Sequence, residues 1–187
     1  MPLIYLVRHG RIADQAADPN DPELGAPGRE QAHAAARQLH SRLPQPLPIL
    51  TSPMRRCRET AAPLAALWQA QPRVEPRVSE VPSPPGVSRE PWLKQALTAS
   101  WAELERHDPT RRISAWRAGV REAVLACRED TVIFSHYVPI NVIVGIALAR
   151  DKVRCFRPDN ASVTIVETNA GGIRLIELGY EKGTQVV

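Results

Sequence analysis

The sequence predicts an α/β fold in which a mostly parallel sheet lies between two layers of helices, a three-layer αβα sandwich. Leu3–Val7 and Thr131–Phe134 are short, continuously apolar runs, which is typical of strands buried on both faces of a sheet. The segments between the apolar runs carry apolar residues at helical spacing. Strands that alternate with amphipathic helices in this way indicate an α/β architecture with helices on both faces.

The first half of the chain begins with the strand Leu3–Val7 and a long polar loop at Arg11–Pro27. Proline and aspartate dominate the loop, while alanine and leucine recur at helical spacing after it. The predicted elements that follow are a helix over Gly28–Leu43, a short strand at Ile49–Thr51 and a weak strand at Val74–Val78.

In the second half, two amphipathic helices precede the strand Thr131–Phe134, and a buried helix follows it. Trp92 and Trp101 lie on the first of these helices, where we expect them in the core or in a pocket wall, the alternatives being a lid or an interface. The predicted elements are helices over Glu90–Arg106, Ile113–Arg128 and Val138–Ala149, and a terminal hairpin of Ser162–Glu167 and Gly172–Leu178.

A length of 187 residues predicts one domain, residues 1–187, with a proline-rich and helical insertion around residues 81–110. The net charge is +4, and arginine greatly outnumbers lysine. This excess suits an anionic substrate, although a solvated surface rich in arginine has the same composition. The basic residues are scattered and form no known binding motif, so we expect no nucleic-acid partner.

Cys57, Cys127 and Cys155 are odd in number and widely spaced, which argues against a disulfide framework and against a zinc site. No signal peptide is expected, because the first residues lack a basic n-region and a cleavage site. No membrane span is expected, because the apolar stretch Thr131–Ala149 contains polar residues and a proline. We therefore expect a cytoplasmic protein. His33 and His40 are seven residues apart on one helix, a spacing that favours surface histidines over metal ligands.

Arg8-His9-Gly10 follows the first strand directly. Ligands of open α/β sheets bind at the carboxyl ends of the strands. There Arg8 could hold an oxyanion through paired hydrogen bonds, and His9 could act as a nucleophile or a proton carrier. Gly10 would let the chain turn away without a side chain in the crevice. The alternative is that Arg8 and His9 begin a solvated loop.

A second candidate segment, from Ser52 to Ala61, follows the strand Ile49–Thr51. Ser52 and Pro53 fit the N-cap and the first position of a helix. A helix N-terminus that carries several arginines is a good phosphate site. The alternative is an exposed basic helix face. The arginines of this segment are Arg55, Arg56 and Arg58.

Two further titratable residues lie at predicted strand ends. Glu80 comes just after the weak strand, and His136 comes two residues after Thr131–Phe134. Glu80 could instead be an ordinary surface carboxylate, and His136 could be a core histidine.

Taken together, these motifs resemble those of the histidine phosphatase superfamily, which has the phosphoglycerate mutase-like fold. The similarity lies in the order and spacing of the motifs, and it extends over essentially the whole chain. The matching segments are Arg8-His9-Gly10, Ser52–Ala61, Glu80, Phe134-Ser135-His136 and Asp159–Thr164.

The resemblance implies phosphoryl transfer without a metal or another cofactor. His9 would attack phosphorus to give a phosphohistidine, and Glu80 would protonate the leaving oxygen and later activate water. Arg8, Arg56 and His136 would bind the phosphate, and by the motif alignment Arg55 is a bystander.

The chain departs from the family pattern at three places. Tyr137 stands where many relatives have glycine, Leu24-Gly25 replaces a common Leu-Thr or Leu-Ser, and Val81–Gly86 replaces Gly-x-Trp-Glu-Gly. The Tyr137 backbone N–H remains available to phosphate, while its phenol would narrow the site. The change at Val81–Gly86 makes a classical mutase doubtful.

The hypothesis is therefore a phosphomonoesterase with a small phosphorylated substrate, a phosphoprotein being the second substrate class. The alternatives are a phosphomutase and a non-catalytic phosphate-binding or interaction module. The sequence indicates no oligomeric state.

Overall fold

The computed structural model describes residues 1–181. They form one six-stranded sheet with the strand order β3-β2-β4-β1-β5-β6. The strands are β1 (Leu3–Arg8), β2 (Ile49–Thr51), β3 (Arg73–Val74), β4 (Thr131–Ser135), β5 (Val163–Asn169) and β6 (Gly172–Glu177). The helices are α1 (Ala26–Arg42), α2 (Arg55–Trp68), α3 (Arg89–Ala96), α4 (Trp101–Arg106), α5 (Arg112–Leu125) and α6 (Tyr137–Ala147).

The first four strands along the chain are parallel to one another. In the terminal hairpin, β5 pairs antiparallel with β1, and β6 pairs antiparallel with β5. The predicted hairpin and the mostly parallel sheet are thus confirmed. In the pairing of β1 with β4, Arg8 lies opposite Ser135, so the residues that follow these two central strands emerge side by side. This register brings the segments after β1 and β4 to the same edge of the sheet.

The two faces of β1 contribute to separate apolar cores. Ile4 and Leu6 pack with residues of α5 and α6, whereas Tyr5 and Val7 pack with residues of α1 and α2. Successive side chains of a strand point to opposite faces, so a strand covered on both sides needs a continuous apolar run. The predicted three-layer αβα sandwich is therefore confirmed.

The predicted helix over Glu90–Arg106 is wrong, because this segment forms α3 and α4 with a break between them. Ser100 causes the break. Its side chain accepts a hydrogen bond from the Glu103 backbone N–H, and the Glu103 carboxylate accepts one from the Ser100 backbone N–H, which is a capping box. A new helix therefore starts at Trp101, whose side chain is buried in the core.

The weak strand predicted at Val74–Val78 is shorter than expected. β3 ends at Val74, and Pro76–Val78 forms a 3₁₀ turn. Proline has no N–H to donate to a neighbouring strand and its φ suits the start of a helical turn, so the strand stops before Pro76.

The helix predicted to start at Pro53 with Ser52 as its N-cap begins instead at Arg55, and Met54 is its N-cap residue. The Ser52 hydroxyl does accept a hydrogen bond from the Met54 N–H, at 3.3 Å, but it does so ahead of the helix. Ser52 is fully buried at the end of β2, where it has a second partner described below.

Across residues 1–181, none of the helices combines the length and the apolar character needed to cross a bilayer. The most apolar of them, α6, has 11 residues and lies in the core against α5.

Candidate active site

The side chain of Arg8 is held at the end of β1 by two neighbours. Its Nη1 donates a hydrogen bond to the Pro158 carbonyl oxygen at 2.8 Å, and the ring of Tyr137 lies over its guanidinium, 5.1 Å from Cζ to the ring centroid. The Tyr137 hydroxyl donates to the Phe156 carbonyl oxygen at 3.2 Å. The Nε of Arg8 is buried without a protein partner. Arg8 is therefore held in place, and its Nε–H remains free to donate a hydrogen bond to a ligand.

His9 follows Arg8, and its ring is fixed by its own loop. Nδ1 lies 2.8 Å from the Gly10 carbonyl oxygen. A carbonyl only accepts hydrogen bonds, so Nδ1 carries the proton and Nε2 of the neutral ring has a free lone pair. The pKa of His9 is lowered to about 3, mainly by burial; the Gly10 contact acts in the opposite direction, and the charges of Arg56 and Arg8 also lower the pKa. At neutral pH, His9 is thus an uncharged imidazole with a nucleophilic nitrogen.

Thr60 connects the loop of His9 to the first turn of α2. Its hydroxyl donates to the Arg56 carbonyl oxygen at 2.6 Å and accepts from the Gly10 N–H at 3.0 Å. The side chain is fully buried. The Gly10 N–H therefore binds Thr60, and the Gly10 carbonyl binds the His9 ring. Because Thr60 also binds the Arg56 carbonyl, these contacts fix the His9 ring relative to the backbone of Arg56.

His136 follows β4 and lies beneath His9, with the two ring centroids 5.3 Å apart and the rings edge to face. It is fully buried, and its Nε2 is 2.8 Å from the Ser52 hydroxyl and 3.4 Å from Cys57 Sγ. Burial lowers the pKa of His136 well below its usual value, helped by His9 and the nearby arginines. The second histidine is therefore also neutral at physiological pH.

Glu80 lies on the other side of the cleft, after the 3₁₀ turn. Its Oε1 accepts a hydrogen bond from the Val81 backbone N–H at 2.9 Å. Burial raises the pKa of Glu80, while the Val81 amide and the charges of Arg89 and Arg56 act in the opposite direction. A carboxyl group with a raised pKa can hold a proton nearer to neutral pH, as a general acid must.

Five of the six residues predicted for the site line one cleft of about 680 Å³ at the carboxyl ends of the parallel strands. These are Arg8, His9, Arg56, Glu80 and Tyr137. The sixth, His136, lies directly behind His9. Arg55 is outside the cleft, where it pairs with Glu59 at 2.7 Å and Glu23 at 3.4 Å. The histidines of α1, His33 and His40, are both exposed.

The structure adds residues to this cleft that the sequence did not reveal. Arg89, at the start of α3, lines it and donates from Nη1 to the Val81 carbonyl oxygen at 2.9 Å. Asn160 also lines it and donates from Nδ2 to the His9 carbonyl oxygen at 3.0 Å. Asn160 belongs to Asp159–Thr164, one of the segments that resemble the family. Arg89 comes shortly after Val81–Gly86, where the chain departs from the family pattern.

The fold and the cleft define an α/β protein with a cationic, histidine-containing site at the carboxyl ends of its strands. The chain belongs to the histidine phosphatase superfamily (branch 1), whose family model matches residues 4–181. No curated protein matches the chain in sequence.

Solved structures with the same fold include two phosphatases. A mycobacterial glucosyl-3-phosphoglycerate phosphatase in complex with VO3 is 25% identical, with 95% of this chain and 98% of that chain covered and a TM-score of 0.70. A phosphoserine phosphatase from Entamoeba histolytica in complex with 3-phosphoglyceric acid is 18% identical, with 97% and 98% covered and a TM-score of 0.71. At 18% identity the second likeness shows the fold alone.

Proposed function

We propose that this protein is a phosphomonoester hydrolase that works through a phosphohistidine formed on His9. The observation that carries the proposal is the contact between His9 Nδ1 and the Gly10 carbonyl oxygen at 2.8 Å. It keeps the proton on Nδ1 and leaves the Nε2 lone pair for attack on phosphorus. Burial, which lowers the pKa of His9 to about 3, prevents protonation from removing that nucleophile.

In the proposed first step, the His9 Nε2 lone pair forms a bond to phosphorus while the bond from phosphorus to the ester oxygen breaks. Glu80 donates its proton to that oxygen, so the leaving group departs as a neutral alcohol. Arg8 and Arg56 stabilise the charge on the equatorial oxygens. The buried Arg8 Nε without a protein partner supports this role, because a phosphate oxygen would satisfy it.

In the second step, the Glu80 carboxylate takes a proton from water and the water oxygen attacks phosphorus. The bond between Nε2 and phosphorus breaks, and its electron pair returns to His9 as inorganic phosphate leaves. The family resemblance would have His136 offer a ring N–H to a phosphate oxygen, and because its Nε2 lies 2.8 Å from the Ser52 hydroxyl, that N–H would exchange Ser52 for the phosphate. The Tyr137 backbone N–H at the start of α6 is a further donor. The Tyr137 phenol already donates to Phe156, so we assign it to holding Arg8.

Two observations favour hydrolysis over a mutase reaction. The mycobacterial structure that is 25% identical is named as a phosphatase. In addition, Val81–Gly86 lacks the residues that commonly follow the acid in the mutase pattern.

The test is hydrolysis of p-nitrophenyl phosphate in EDTA between pH 5 and 8, by the wild-type protein, His9→Ala and His33→Ala. We expect a loss of about 1,000-fold or more in His9→Ala, because the nucleophile is removed. The control His33→Ala changes an exposed histidine outside the cleft and should keep wild-type activity.

Acid-labile, alkali-stable labelling of the wild-type protein by a radioactive phosphomonoester would identify the phosphohistidine. Activity that survives in His9→Ala would refute the proposed nucleophile. Transfer of the label to a second hydroxyl of the substrate, in place of release as inorganic phosphate, would establish a mutase.

A further inference from the structure

One side of α3, together with Leu97 directly after its last residue, forms a continuous row along the cleft. Arg89, Leu93 and Leu97 are four residues apart from one to the next, and all three line the cleft that contains His9 and Glu80. Residues four apart lie on the same face of a helix. At 1.5 Å per residue, the row from Arg89 to Leu97 is about 12 Å long.

The polar end of this row is next to the proposed general acid. Arg89 binds the carbonyl of Val81, whose own N–H binds Glu80, and the charge of Arg89 lowers the pKa of Glu80. Within residues 1–181 no carboxylate forms an ion pair with Arg89, unlike Arg77 and Arg117. The positive charge at this end of the cleft therefore remains available to the anionic end of a ligand.

The rest of the row is apolar, and the wall of the cleft that belongs to the loop after β1 is mostly aliphatic, with one polar residue, Asn20. Leu93 and Leu97 are half-buried, so part of each side chain is open to the cleft. The residues of that loop that line the cleft with aliphatic surface are Ile12, Pro19 and Pro22. The cleft volume of about 680 Å³ is within the usual range for sites that enclose a whole small molecule.

We propose that the cleft binds phosphomonoesters whose alcohol part is apolar, an alkyl or aryl group that lies along Leu93 and Leu97. The inference rests on the proposed function, which places the phosphate between Arg8 and Arg56 and the ester oxygen at Glu80. Arg89, which is linked to Glu80 through Val81, then adds positive charge at the phosphate end, and the leaving group extends from Glu80 along the two leucines. Apolar surface on both walls favours a ligand that loses apolar area to water when it binds.

The first measurement is binding, by titration calorimetry, of methyl-, butyl-, hexyl- and octylphosphonate to the wild-type protein. These compounds have a stable bond from phosphorus to carbon, so they report binding without turnover. We expect the affinity to rise about two- to fourfold for each added methylene along the leucine row, with a negative heat-capacity change that grows with chain length. Equal affinities across the series would overturn the proposal.

The second measurement repeats the series with Leu93→Gln and Leu97→Gln, and with Leu67→Gln as the control. Leu67 is an exposed leucine of α2 outside the cleft, so its variant should keep the full dependence on chain length. The two cleft variants should bind methylphosphonate as the wild type does and lose most of the gain from longer chains. A dependence that all variants retain would place the apolar contact elsewhere and contradict the proposal.

Turnover of the matching alkyl phosphates separates this inference from the proposed function. Binding that depends on chain length without any hydrolysis would support the apolar cleft and refute the phosphatase. Hydrolysis that depends on His9 but not on chain length would support the phosphatase and refute the apolar leaving group.

Discussion

The chemistry of His9 depends on which of its ring nitrogens carries the proton, and that is decided by the backbone around it. Gly10 holds Nδ1–H through its carbonyl, Thr60 holds Gly10, and Asn160 holds the carbonyl of His9 itself. None of these three residues supplies a group that reacts in the proposed mechanism. They are positioning residues, and their effect is transmitted through hydrogen bonds to main-chain atoms.

Thr60→Val tests this role. Valine has nearly the same shape as threonine but leaves the buried Gly10 N–H without its acceptor and removes the side-chain hydrogen bond to the Arg56 carbonyl. We expect kcat to fall about 10- to 100-fold, because small displacements of a reacting group are costly, and the free energy of unfolding to fall by about 1–3 kcal/mol. Steady-state kinetics and urea unfolding measure the two effects.

Thr60→Ser is the matched control, because it keeps the hydroxyl. It should restore most of kcat, and the ¹⁵N spectrum of its His9 ring should show the same Nδ1–H tautomer as the wild type. A Thr60→Val protein that loses stability but keeps both kcat and the His9 tautomer would assign Thr60 a purely structural role.

At the scale of elements, the start of α1 is pressed against the loop after β1. A Cβ atom on Gly10 would lie 2.5 Å from the Gly28 carbonyl oxygen, and one on Gly28 would lie within 2 Å of the Arg11 carbonyl oxygen. The sequence suggested that Gly10 keeps the crevice free of a side chain. The structure gives a different reason, which is the close approach of the Gly10 and Gly28 backbones.

Gly28→Ala should therefore force α1 and the loop of His9 apart. We expect a loss of about 1–3 kcal/mol in the free energy of unfolding, as for other overpacked sites, together with lower activity because the loop carries His9, the proposed nucleophile. Urea unfolding and p-nitrophenyl phosphate hydrolysis would measure the two losses.

The matched control is Gly119→Ala in α5. A Cβ atom there would meet only the Arg77 side chain at 3.6 Å or more, which is ordinary contact. Alanine should then stabilise the helix by up to about 1 kcal/mol. Equal effects of the two substitutions would show that the space at Gly28 is not tight.

At the scale of the whole molecule, the site affects how stability depends on pH. The pKa values of His9 and His136 are lowered in the folded protein, so between about pH 3 and pH 6.5 the unfolded chain binds protons at His9 that the folded protein does not. Stability from these histidines is therefore present above their unfolded pKa and decreases as the pH falls. Glu80, whose pKa is raised, has the opposite effect above its unfolded pKa of 4.5, because its contribution to stability is lost as the pH rises.

We expect the free energy of unfolding to decrease between pH 6.5 and 4.5, with His9 contributing up to about 1.4 kcal/mol per pH unit. In His9→Asn this part of the slope should be absent, while His33→Asn should keep it. Urea unfolding at several pH values gives the slopes. Parallel curves for the wild type and His9→Asn would show that His9 titrates alike in the folded and unfolded states.

Most of the sheet and the main positions of the site were predictable from the sequence. A strand covered on both faces needs a continuous apolar run, so the central strands could be predicted from short segments. The residues that follow such a strand lie at the edge of the sheet, so Arg8, His9 and His136 could be proposed as site residues from the same segments. The break before Trp101 was missed because the apolar spacing continues across it, and only the Ser100 capping box separates the two helices.

The sequence by itself determined the family and the layered architecture, and it was enough to propose the reactive residues, because each depends on short segments and their order. Tertiary structure alone decided the burial that lowers the pKa of His9, the place of Arg89 in the cleft and the close contact at Gly28. These properties depend on residues far apart in the chain, such as Arg56, whose charge also lowers the pKa of His9, and Gly28, whose carbonyl oxygen approaches Gly10. Hydrogen bonds of fixed geometry and the loss of water around a charge exist only once folding has brought such residues together.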